Sequence, residues 1–315
     1  MTERQAASRL DGPPGERLDR ALAAWLTDLS RTQIQRLISN GCVTLDGRVM
    51  ARPAHKLAGG EQVVVRLLPP DESKATAEAI PLQVVFENAD LLVIDKPAGM
   101  VVHPAAGHTG GTLVNALLAH APEAAGAGAE QDRQASRLRP GIVHRLDKDT
   151  SGLMVAAKNE LTLRSLQKQF KDRTVRKAYL ALVDGSPPTS SGRVEAPIGR
   201  DLRDRKRMAI TAHRHGREAV TEFRVIERFA GHTLIEARPL TGRTHQIRLH
   251  LAYLGCPVAG DRVYGRRSVT IPGLSRQFLH AARLTFQAPD ESQTRTFESP
   301  LPGDLQQVLA SLRRP

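Results

Sequence analysis

A polar loop at residues 141–152 carries a dense group of side chains that could do chemistry. It reads Gly-Ile-Val-His-Arg-Leu-Asp-Lys-Asp-Thr-Ser-Gly, and the segment after it, 153–157, has the length and composition of a buried strand. A charged turn between strands is the ordinary meaning of such a run. Polar loops held by a rigid scaffold are also where binding and catalysis concentrate. The loop is therefore a candidate site, in which a carboxylate could act as a nucleophile or as a base.

Two carboxylates in this loop, Asp147 and Asp149, raise the question of a paired acid and base. Glycosidases use such pairs, but their carboxyl groups face each other across the scissile bond, about 5 to 9 Å apart. Two neighbours on one turn are poorly placed for that arrangement. We therefore do not expect Asp147 and Asp149 to act as such a pair, and we expect Asp149 to cap the loop through Thr150 and Ser151.

The histidines and cysteines do not form a pattern that predicts a metal site. His103, His144, His245 and His250 include no pair at i, i+4 spacing, which would point two imidazoles at one ion from a helix face. The two cysteines are far apart in sequence and cannot by themselves form a zinc site or a disulfide framework. We expect no metal site, and the few cysteines fit a cytoplasmic setting.

The net charge of +12 predicts a polyanionic partner, which is a nucleic acid or an anionic membrane surface. The sequence lacks an apolar run of about 18 residues that could span a bilayer, and its start lacks the apolar core of a signal peptide. Nucleic acid is therefore the favoured partner. With 1 Trp, 3 Tyr and 7 Phe, the chain is poor in stacking platforms, so a single Tyr in a site would matter more.

The elements that must position these residues fall into two predicted domains. Residues 1–13 are predicted to form a loose tail, and residues 15–70 are predicted to form two short helices with small antiparallel strands. Residues 71–80 are predicted to be a polar linker, and residues 81–315 a larger domain. Within the larger domain, the stretch from Ala121 to Arg139 predicts a mobile surface insertion without an assigned function. We expect an α+β protein whose larger domain is built on a mostly antiparallel sheet with a central cleft. The predicted elements are helices at 16–26, 31–38, from 112, 159–170 and at the C-terminus, and strands at 42–45, 48–50, 62–67, 83–86, 91–94, 153–157, 180–183, 222–227 and 233–237.

The polar loop resembles the signature His-Arg-Leu-Asp-x-x-Thr-Ser-Gly of the RluA-type pseudouridine synthases, which isomerise uridines in ribosomal RNA. Residues 15–70 resemble an S4 domain, a module that binds structured RNA. Together with the basic strand pair, this domain makes the chain look most like the RluD branch, which modifies large-subunit RNA. The resemblance runs to about residue 312, and further motifs of the family follow in the same order: Lys96–Gly99, His103-Pro104, Lys177–Tyr179, Thr241–Arg248, Gly255–Asp261 and Tyr264-Gly265.

The resemblance implies roles for three residues of a catalytic centre. The Asp of the family signature is catalytic, and it matches Asp147. The Arg of the Gln-Ile-Arg block matches Arg248, which would keep the carboxylate ionised, with Arg243 as the second choice for that cation or as a phosphate contact. The Tyr of the Lys-x-Tyr motif matches Tyr179, which would stack on the target base.

The resemblance also implies a set of residues that contact the RNA. Arg145 would fill the gap that the extruded base leaves or contact the displaced bases, and His144 would lie in the substrate site. Leu249 or Leu251 could form the apolar floor of the pocket, although core packing is the commoner fate of such residues. In the S4-like domain Arg17, Arg31 and Arg36 would face phosphates, although arginines on a helix are often only its solvated face. The expected partner is ribosomal RNA or an assembling large subunit, bound by a monomer.

The isomerisation needs no cofactor, because no atom is gained or lost and no electron leaves the substrate. The sequence leaves open whether Asp147 attacks the sugar, attacks the base or removes a proton. A non-catalytic RNA-binding or ribosome-assembly protein is the main alternative, and an intact set of Asp147, Tyr179 and Arg248 argues against it. An RNA-independent nucleoside or sugar hydrolase is disfavoured by the net charge and by the S4-like domain.

Overall fold

A computed structural model of the chain provides the structure, and its described residues fall into two compact units, divided between residues 73 and 74. The side chains of Arg4, Thr32, Gln33 and Arg36 are not described. The described residues are 4–10, 13–27, 29, 31–67, 75–104, 110–127, 140–201, 204, 207–211, 216–266, 271–289 and 291–313.

The first unit packs two helices on a small antiparallel sheet, whose strands lie in the order β1-β4-β2-β3 in the described residues. Leu18 and Leu22 on the first helix and Ile34 and Ile38 on the second are fully buried, because i, i+4 spacing brings each pair to one face. The elements are β1 (Arg4–Leu10), α1 (Leu18–Trp25), α2 (Arg31–Ser39), β2 (Val43–Leu45), β3 (Arg48–Met50) and β4 (Glu61–Leu67).

The prediction that residues 1–13 form a loose tail was wrong for residues 4–10. This segment is β1, which pairs antiparallel with β4 from Arg4 opposite Leu67 to Leu10 opposite Glu61. The sequence of β1 is mostly small and polar, so side-chain periodicity gives little signal for a strand. The open edge of β4 offers backbone N–H and C=O groups, and pairing with them holds β1 in place.

The second unit is an α+β structure around one large sheet. The described strands lie in the order β5-β6-β7-β14-β8-β13-β12-β9, with β15 paired to β14, and only the β7–β14 pair among them is parallel. The predicted α+β class and mostly antiparallel sheet are confirmed. The elements are β5 (Gln83–Glu87), β6 (Leu91–Lys96), α3 (Leu113–His120), a 3-10 helix (Pro122–Gly126), β7 (Ser151–Ala157), α4 (Glu160–Lys171), β8 (Arg176–Asp184), β9 (Ser191–Glu195), β10 (Ile198–Arg200), β11 (Met208–Ile210), β12 (Val220–Phe229), β13 (His232–Pro239), α5 (Gln246–Tyr253), β14 (Leu279–Gln287), β15 (Thr294–Glu298) and α6 (Gly303–Leu312).

Strand β7 is an interior strand of this sheet, between β6 and β14, and is buried along its whole length. Its side chains alternate, so Met154 and Ala156 join one apolar cluster while Leu153 and Val155 join another on the opposite face. The polar loop therefore leads directly into a fully buried strand. None of the helices in the described residues is long and apolar enough to cross a membrane.

Two segments that the sequence left as linker or insertion are partly built into the second unit. Glu78 donates its backbone N–H to the Asn115 carbonyl oxygen at 3.0 Å, and the Asn115 side-chain amide donates to the Thr76 carbonyl oxygen at 2.7 Å. Residues 121–127 are not a mobile insertion as predicted, because Ala121, Ala124 and Ala127 are buried against the core. Ala121 and Ala124 belong to the main apolar cluster, and Ala127 belongs to the cluster on the opposite face of the sheet. Residues 71–74 and 128–139 lie outside the described part.

Candidate functional site

The polar loop is held against the sheet by a close approach of two strands. Gly152, at the start of β7, has a φ of 112°, and a Cβ atom there would meet the Ala281 backbone of β14 at 2.4 Å. Only glycine fits such a position, because real Cβ atoms are not found that close to backbone. The loop before it closes as a tight turn, in which Thr150 donates its N–H to the carbonyl oxygen of Asp147 at 3.1 Å.

Side chains that precede β14 hold the other end of this loop. Arg276 donates to the Asp149 carbonyl oxygen at 3.1 Å and to the Ser151 hydroxyl at 3.3 Å, and Gln277 donates to the Thr150 hydroxyl at 2.9 Å. The expectation that Asp149 caps the loop through Thr150 and Ser151 was therefore wrong, since Gln277 and Arg276 bind those two hydroxyls. A polar loop of this kind needs partners from distant segments when its hydroxyls are buried.

The ammonium group of Lys96 is fully buried and joins the turn at residues 97–100 to the polar loop. It donates to the carbonyl oxygens of Pro97 at 2.7 Å, Met100 at 3.0 Å and Lys148 at 3.1 Å. Burial lowers the pKa of Lys96 to about 8. This residue thus fixes the backbone next to Asp147, a structural use of the Lys-Pro-x-Gly motif that sequence reasoning missed.

Asp147 and Arg248 meet in the second unit although they are 101 positions apart in sequence. Nη1 of Arg248 donates to Oδ2 of Asp147 at 3.0 Å, and the Asp147 side chain keeps 18% of its surface exposed. The guanidinium also makes two parallel bonds to Asp261, from Nε at 2.6 Å and from Nη2 at 2.8 Å. Arg248 is therefore held in one orientation by a buried carboxylate and offers its remaining nitrogen to Asp147.

Arg248 and Asp261 each stabilise the charged form of the other, although both are buried. Burial disfavours the charge of Arg248, but bonds to Asp261 and the nearby Asp147 outweigh it and raise the pKa of the guanidinium above its usual value. Burial likewise opposes the charge of Asp261, but Arg248 and the backbone N–H groups of Val263 and Tyr264 hold the pKa of that carboxyl below its usual range. The result is a buried cation between two carboxylates, one of which faces a pocket.

That pocket has a volume of about 590 Å³ and brings together Asp147, Arg248 and Tyr179. Tyr179 comes from β8, and its ring is buried in the main apolar cluster. Burial and the charge of Asp147 raise the pKa of the Tyr179 hydroxyl, so the phenol stays neutral. No hydrogen-bond partner for this hydroxyl occurs in the part of the chain that the structure describes.

The apolar wall of the pocket does not include the leucines that the sequence suggested. Leu249 packs against Ile198 and Ala219, and Leu251 is fully buried in the main core. Helix α5 turns their side chains away from the pocket, which Ile247 and Arg248 line instead. The remaining large aliphatic residues of the wall are Ile142, Val143, Leu146, Val175, Leu240 and Leu279.

His144 lines the pocket but already serves the scaffold. Its Nε2 accepts the backbone N–H of Val155 at 3.0 Å, and its ring stacks on Phe170 with centroids 4.7 Å apart. Burial, and to a lesser extent Lys177, lower the pKa of His144 to about 3, so the imidazole is neutral with its proton on Nδ1. Any contact with a substrate therefore has to use the Nδ1 side of the ring.

The rim of the pocket is basic. Arg145 lies exposed at the mouth, and the other cations that line the pocket are Lys171, Arg173, Lys177, Arg217, Arg243 and Arg248. Arg243 is half-buried, where it donates from Nε to the Glu218 carbonyl oxygen at 3.0 Å, while the Glu218 carboxylate pairs with Arg173. Burial and then the neighbouring cations lower the pKa of Arg243, which shows how closely these cations are gathered.

Gln246 fixes the turn that carries Arg243, a role that sequence reasoning missed. Its amide nitrogen donates to the Val220 carbonyl oxygen at 2.9 Å and to the Thr221 hydroxyl at 3.0 Å. Its amide oxygen accepts the Thr241 hydroxyl at 2.7 Å and the Arg243 N–H at 3.0 Å. All these groups are buried or half-buried, so one amide satisfies four of them and fastens the turn before α5 to β12.

In the first unit, Arg17 and Arg31 are both bound to one buried carboxylate, Asp19. Arg17 donates to it at 3.0 and 3.2 Å, Arg31 at 3.0 and 3.1 Å, and Gln35 at 2.6 Å. The bond from Arg17 is the largest cause that lowers the pKa of Asp19, and Gln35 and Arg31 add to it against the effect of burial. The two guanidiniums are thus fixed while about half exposed, at 46% and 53%. The side chain of Arg36 lies outside the described part.

We expect Asp19→Ala to lower the free energy of unfolding of the first unit by about 1–3 kcal/mol, because it leaves the donors of two arginines and a glutamine without their shared acceptor. Trp25, the only Trp of the chain, packs against this unit's core, so its fluorescence during urea unfolding reports on this unit. Arg20→Ala, an exposed change on the same helix, is the matched control and should shift the free energy by less than about 0.5 kcal/mol.

The pH dependence of this difference has a definite sign. The folded-state pKa of Asp19 is depressed, so its stabilisation is complete above the unfolded value of about 3.9 and is lost as the pH falls below it. The gap between wild type and Asp19→Ala should therefore shrink on acidification below about pH 4. A gap that stays constant between pH 7 and pH 3 would show that Asp19 does not hold the arginines as an anion.

The fold and the site define an RNA-modifying enzyme of the pseudouridine synthase class. Residues 90–253 match the family described as RNA pseudouridylate synthase, and residues 16–63 match the S4 domain. The chain therefore belongs to the RNA pseudouridine synthase family, whose members are isomerases. The prediction of that enzyme class is confirmed, and so is the resemblance to synthases that carry an S4 domain.

Two curated relatives and one solved structure illustrate the similarity. An RNA pseudouridine synthase of Chloroflexus aurantiacus is 51% identical over 95% of this chain and 90% of its own length. Ribosomal large subunit pseudouridine synthase D of Vibrio vulnificus is 42% identical over 96% of this chain and 93% of its own. The structure of human RNA pseudouridylate synthase domain containing 4 is 27% identical, with a TM-score of 0.58 over 73% of this chain and 93% of that one.

Proposed function

We propose that this protein converts uridines to pseudouridine in large-subunit ribosomal RNA, with Asp147 as the catalytic carboxylate and without a cofactor. The observation that carries the proposal is the partly exposed Asp147 carboxylate in a basic pocket, bound at Oδ2 by the buried Arg248. A protein that only bound RNA would need cations in this pocket, and a carboxylate among them would oppose phosphate binding. The relatives named ribosomal large subunit pseudouridine synthase D support the choice of RNA.

The chemistry balances within the substrate. The bond from C1′ to N1 breaks, the base turns, and a bond from C1′ to C5 forms. The proton on C5 leaves and a proton arrives at N1, so no atom or electron is gained or lost. Asp147 can assist as a nucleophile on the sugar or the base, or as the base that removes a proton, and in each route it acts as a carboxylate. Arg248 donates a hydrogen bond to Oδ2 of that carboxylate.

The neighbouring residues receive the rest of the nucleotide. Tyr179 offers a flat face and a neutral hydroxyl for the uracil ring. The target base has to leave its stack, which costs a few kcal/mol, and the exposed Arg145 at the mouth of the pocket can occupy the gap. The half-buried Arg243 and the rim cations fit the phosphates on either side of the target. In the first unit, Arg17 and Arg31 are our proposed phosphate contacts.

Tritium release from RNA labelled at C5 of uridine tests the proposal, because C5 loses its hydrogen only when the new bond forms. The RNA should come from cells that lack this protein, so that its target uridines are unmodified. We expect wild type to release tritium from large-subunit RNA, free or in assembling subunits, and not from small-subunit RNA. Equal release from small-subunit RNA would overturn the substrate, and tight binding of every large-subunit form without release would favour a binding protein.

We also propose that the protein acts as a monomer in the cytoplasm, where ribosomal subunits are assembled in bacteria. Sedimentation of the protein at micromolar concentration should give one species near 34.4 kDa.

A further inference from the structure

His245 has a backbone conformation that is uncommon for a residue other than glycine. It lies directly before α5 with φ 58° and ψ 20°, in the left-handed region. This conformation costs an L-amino acid about 1–2 kcal/mol, and it is kept where the surrounding structure enforces it, often at functional sites. The side chain makes no capping bond to the helix that follows. Helix capping therefore does not account for the imidazole.

The imidazole lies between the catalytic carboxylate and a second tyrosine. Its Nδ1 is 2.9 Å from the hydroxyl of Tyr264, and its Nε2 is 3.9 Å from Oδ1 of Asp147. The two rings meet edge to face, with centroids 5.6 Å apart and an interplanar angle of 67°. The strained backbone thus aims one ring nitrogen at each partner.

The hydrogen bonds around Tyr264 determine which nitrogen carries the proton. The Tyr264 hydroxyl accepts the backbone N–H of Met208 at 3.1 Å. In the part of the chain that the structure describes, the acceptor within reach of its own O–H is Nδ1 of His245. Tyr264 therefore donates to Nδ1, and the proton of the neutral imidazole lies on Nε2, which faces Asp147.

Asp261 holds both Arg248 and Tyr264, the partner of His245. Asp261 binds the guanidinium of Arg248 and also accepts the backbone N–H of Tyr264 at 3.1 Å. The Arg248 guanidinium lies 5.2 Å from the centre of the Tyr264 ring. One buried carboxylate therefore positions both groups that approach Asp147.

We propose that His245 and Tyr264 are positioning residues that leave Oδ1 of Asp147 as the reactive oxygen. Arg248 takes Oδ2 in a hydrogen bond at 3.0 Å, whereas the Nε2–H of His245 lies 3.9 Å from Oδ1, beyond hydrogen-bond distance. The N–H dipole of His245 orients Oδ1 but forms no hydrogen bond with it, so Oδ1 stays free to react. Tyr264 keeps the proton on the correct nitrogen, as the orienting partner of a catalytic histidine does. The inference rests on the proposed role of Asp147.

The arrangement predicts a loss of activity in acid. The groups that face the imidazole are Asp147, Arg248, Asp261, Arg145 and Tyr264. Burial lowers the pKa of His245, against the opposing charge of Asp147, so the ring is neutral at pH 7. Protonation would place an imidazolium against Oδ1 and pair it with the reactive oxygen. The single-turnover rate should therefore fall on an acid limb below the usual pKa of about 6.5.

Nitrogen chemical shifts of 15N-histidine in the wild-type protein test the tautomer directly, with the His245 signal assigned through His245→Gln. We expect the proton on Nε2, and a partial shift to Nδ1 in Tyr264→Phe. A proton on Nδ1 in the wild type would overturn the proposal. This measurement needs no substrate, so it can fail while the proposed function stands, and an active Asp147 variant would overturn the function whatever the tautomer.

Single-turnover kinetics supply the second test. Tyr264→Phe keeps the ring against Arg248 and should slow tritium release by about 10–100-fold, the range found when the outer hydrogen-bond partner of a metal-ligating histidine is lost. RNA affinity should be unchanged, and Tyr253→Phe, an exposed tyrosine on α5, should match wild type. His245→Gln should retain more activity than His245→Leu, because its amide can still direct an N–H at Oδ1, and its acid limb should move to lower pH, where Asp147 itself is protonated. A weaker RNA affinity with an unchanged rate, or an acid limb at the wild-type pH in His245→Gln, would overturn the proposal.

Discussion

Asp147→Asn is expected to abolish tritium release from labelled RNA while RNA binding is retained. The amide keeps the size and shape of the carboxylate, and its oxygen can still accept the bond from Arg248. It removes the charge on which every proposed route depends, so the single-turnover rate should fall by at least about 10³-fold, as when a nucleophile or base is deleted from other enzymes. RNA affinity should be equal or slightly tighter, because an anion has left a basic pocket.

Asp149→Asn is the matched control for this experiment. It makes the same chemical change two residues further along the loop, where Arg276 binds the carbonyl oxygen of Asp149. Its rate should stay within about threefold of wild type, which corresponds to the usual effect of a substitution away from a critical contact. Activity in Asp147→Asn, or an equal loss in Asp149→Asn, would show that the loop and not one carboxylate is what the reaction requires.

Local sequence patterns predicted well those elements whose signals are local. Helix α4 was predicted at 159–170 and begins at Glu160 with Asn159 as its N-cap, since an apolar stripe and a capping residue are both visible in the sequence. Strand β3 was predicted at its observed bounds because Asp46-Gly47 marks the hairpin turn. Strands β10 and β11 were missed in the basic stretch that follows β9. With three residues each, they are too short to show a period.

The resemblance to a family predicted that Asp147 and Arg248 belong to one site. Local sequence patterns did not predict it. Asp147 and Arg248 are brought together by the pairing of strands that are distant in sequence, and no window of sequence contains that information. The resemblance named both residues, and the structure places Nη1 of Arg248 3.0 Å from Oδ2 of Asp147, while their roles in the reaction stay predictions. The sequence left Leu249 as either pocket floor or core, and it packs in an apolar cluster, because the order of residues does not fix the direction in which each side chain points.

The residues that the sequence did not reveal are buried polar groups that act on other protein groups. Asp261, Gln246 and Lys96 were visible as motif letters, but their partners are set by tertiary structure. A buried polar group has to find a partner, and that rule identifies such residues only once burial is known. The signal available in the sequence was that these three residues lie within family motifs. That signal indicated that the residues matter but not which groups they contact.

Arg248→Met is expected to damage both folding and catalysis, and the two effects can be separated. The substitution leaves Asp261 as a buried carboxylate without its cation, which should lower the free energy of unfolding of the second unit by about 3–5 kcal/mol. It also leaves Asp147 without the cation at Oδ2, so tritium release should fall by at least about 10²-fold, the scale on which a single charge-stabilising group acts. Thermal unfolding followed by circular dichroism measures the first effect.

The double variant Arg248→Met/Asp261→Asn separates these effects. Val263 and Tyr264 both donate their N–H groups to Oδ1 of Asp261, and an Asn keeps that oxygen while its amide nitrogen replaces Oδ2, which accepts from Nε of Arg248. Both buried charges are gone, so most of the lost stability should return, as it does when a buried ion pair is replaced as a unit. Activity should not return, because Asp147 still lacks its cation. If activity recovers together with stability, Arg248 contributes to the fold alone and the proposed charge control of Asp147 is wrong.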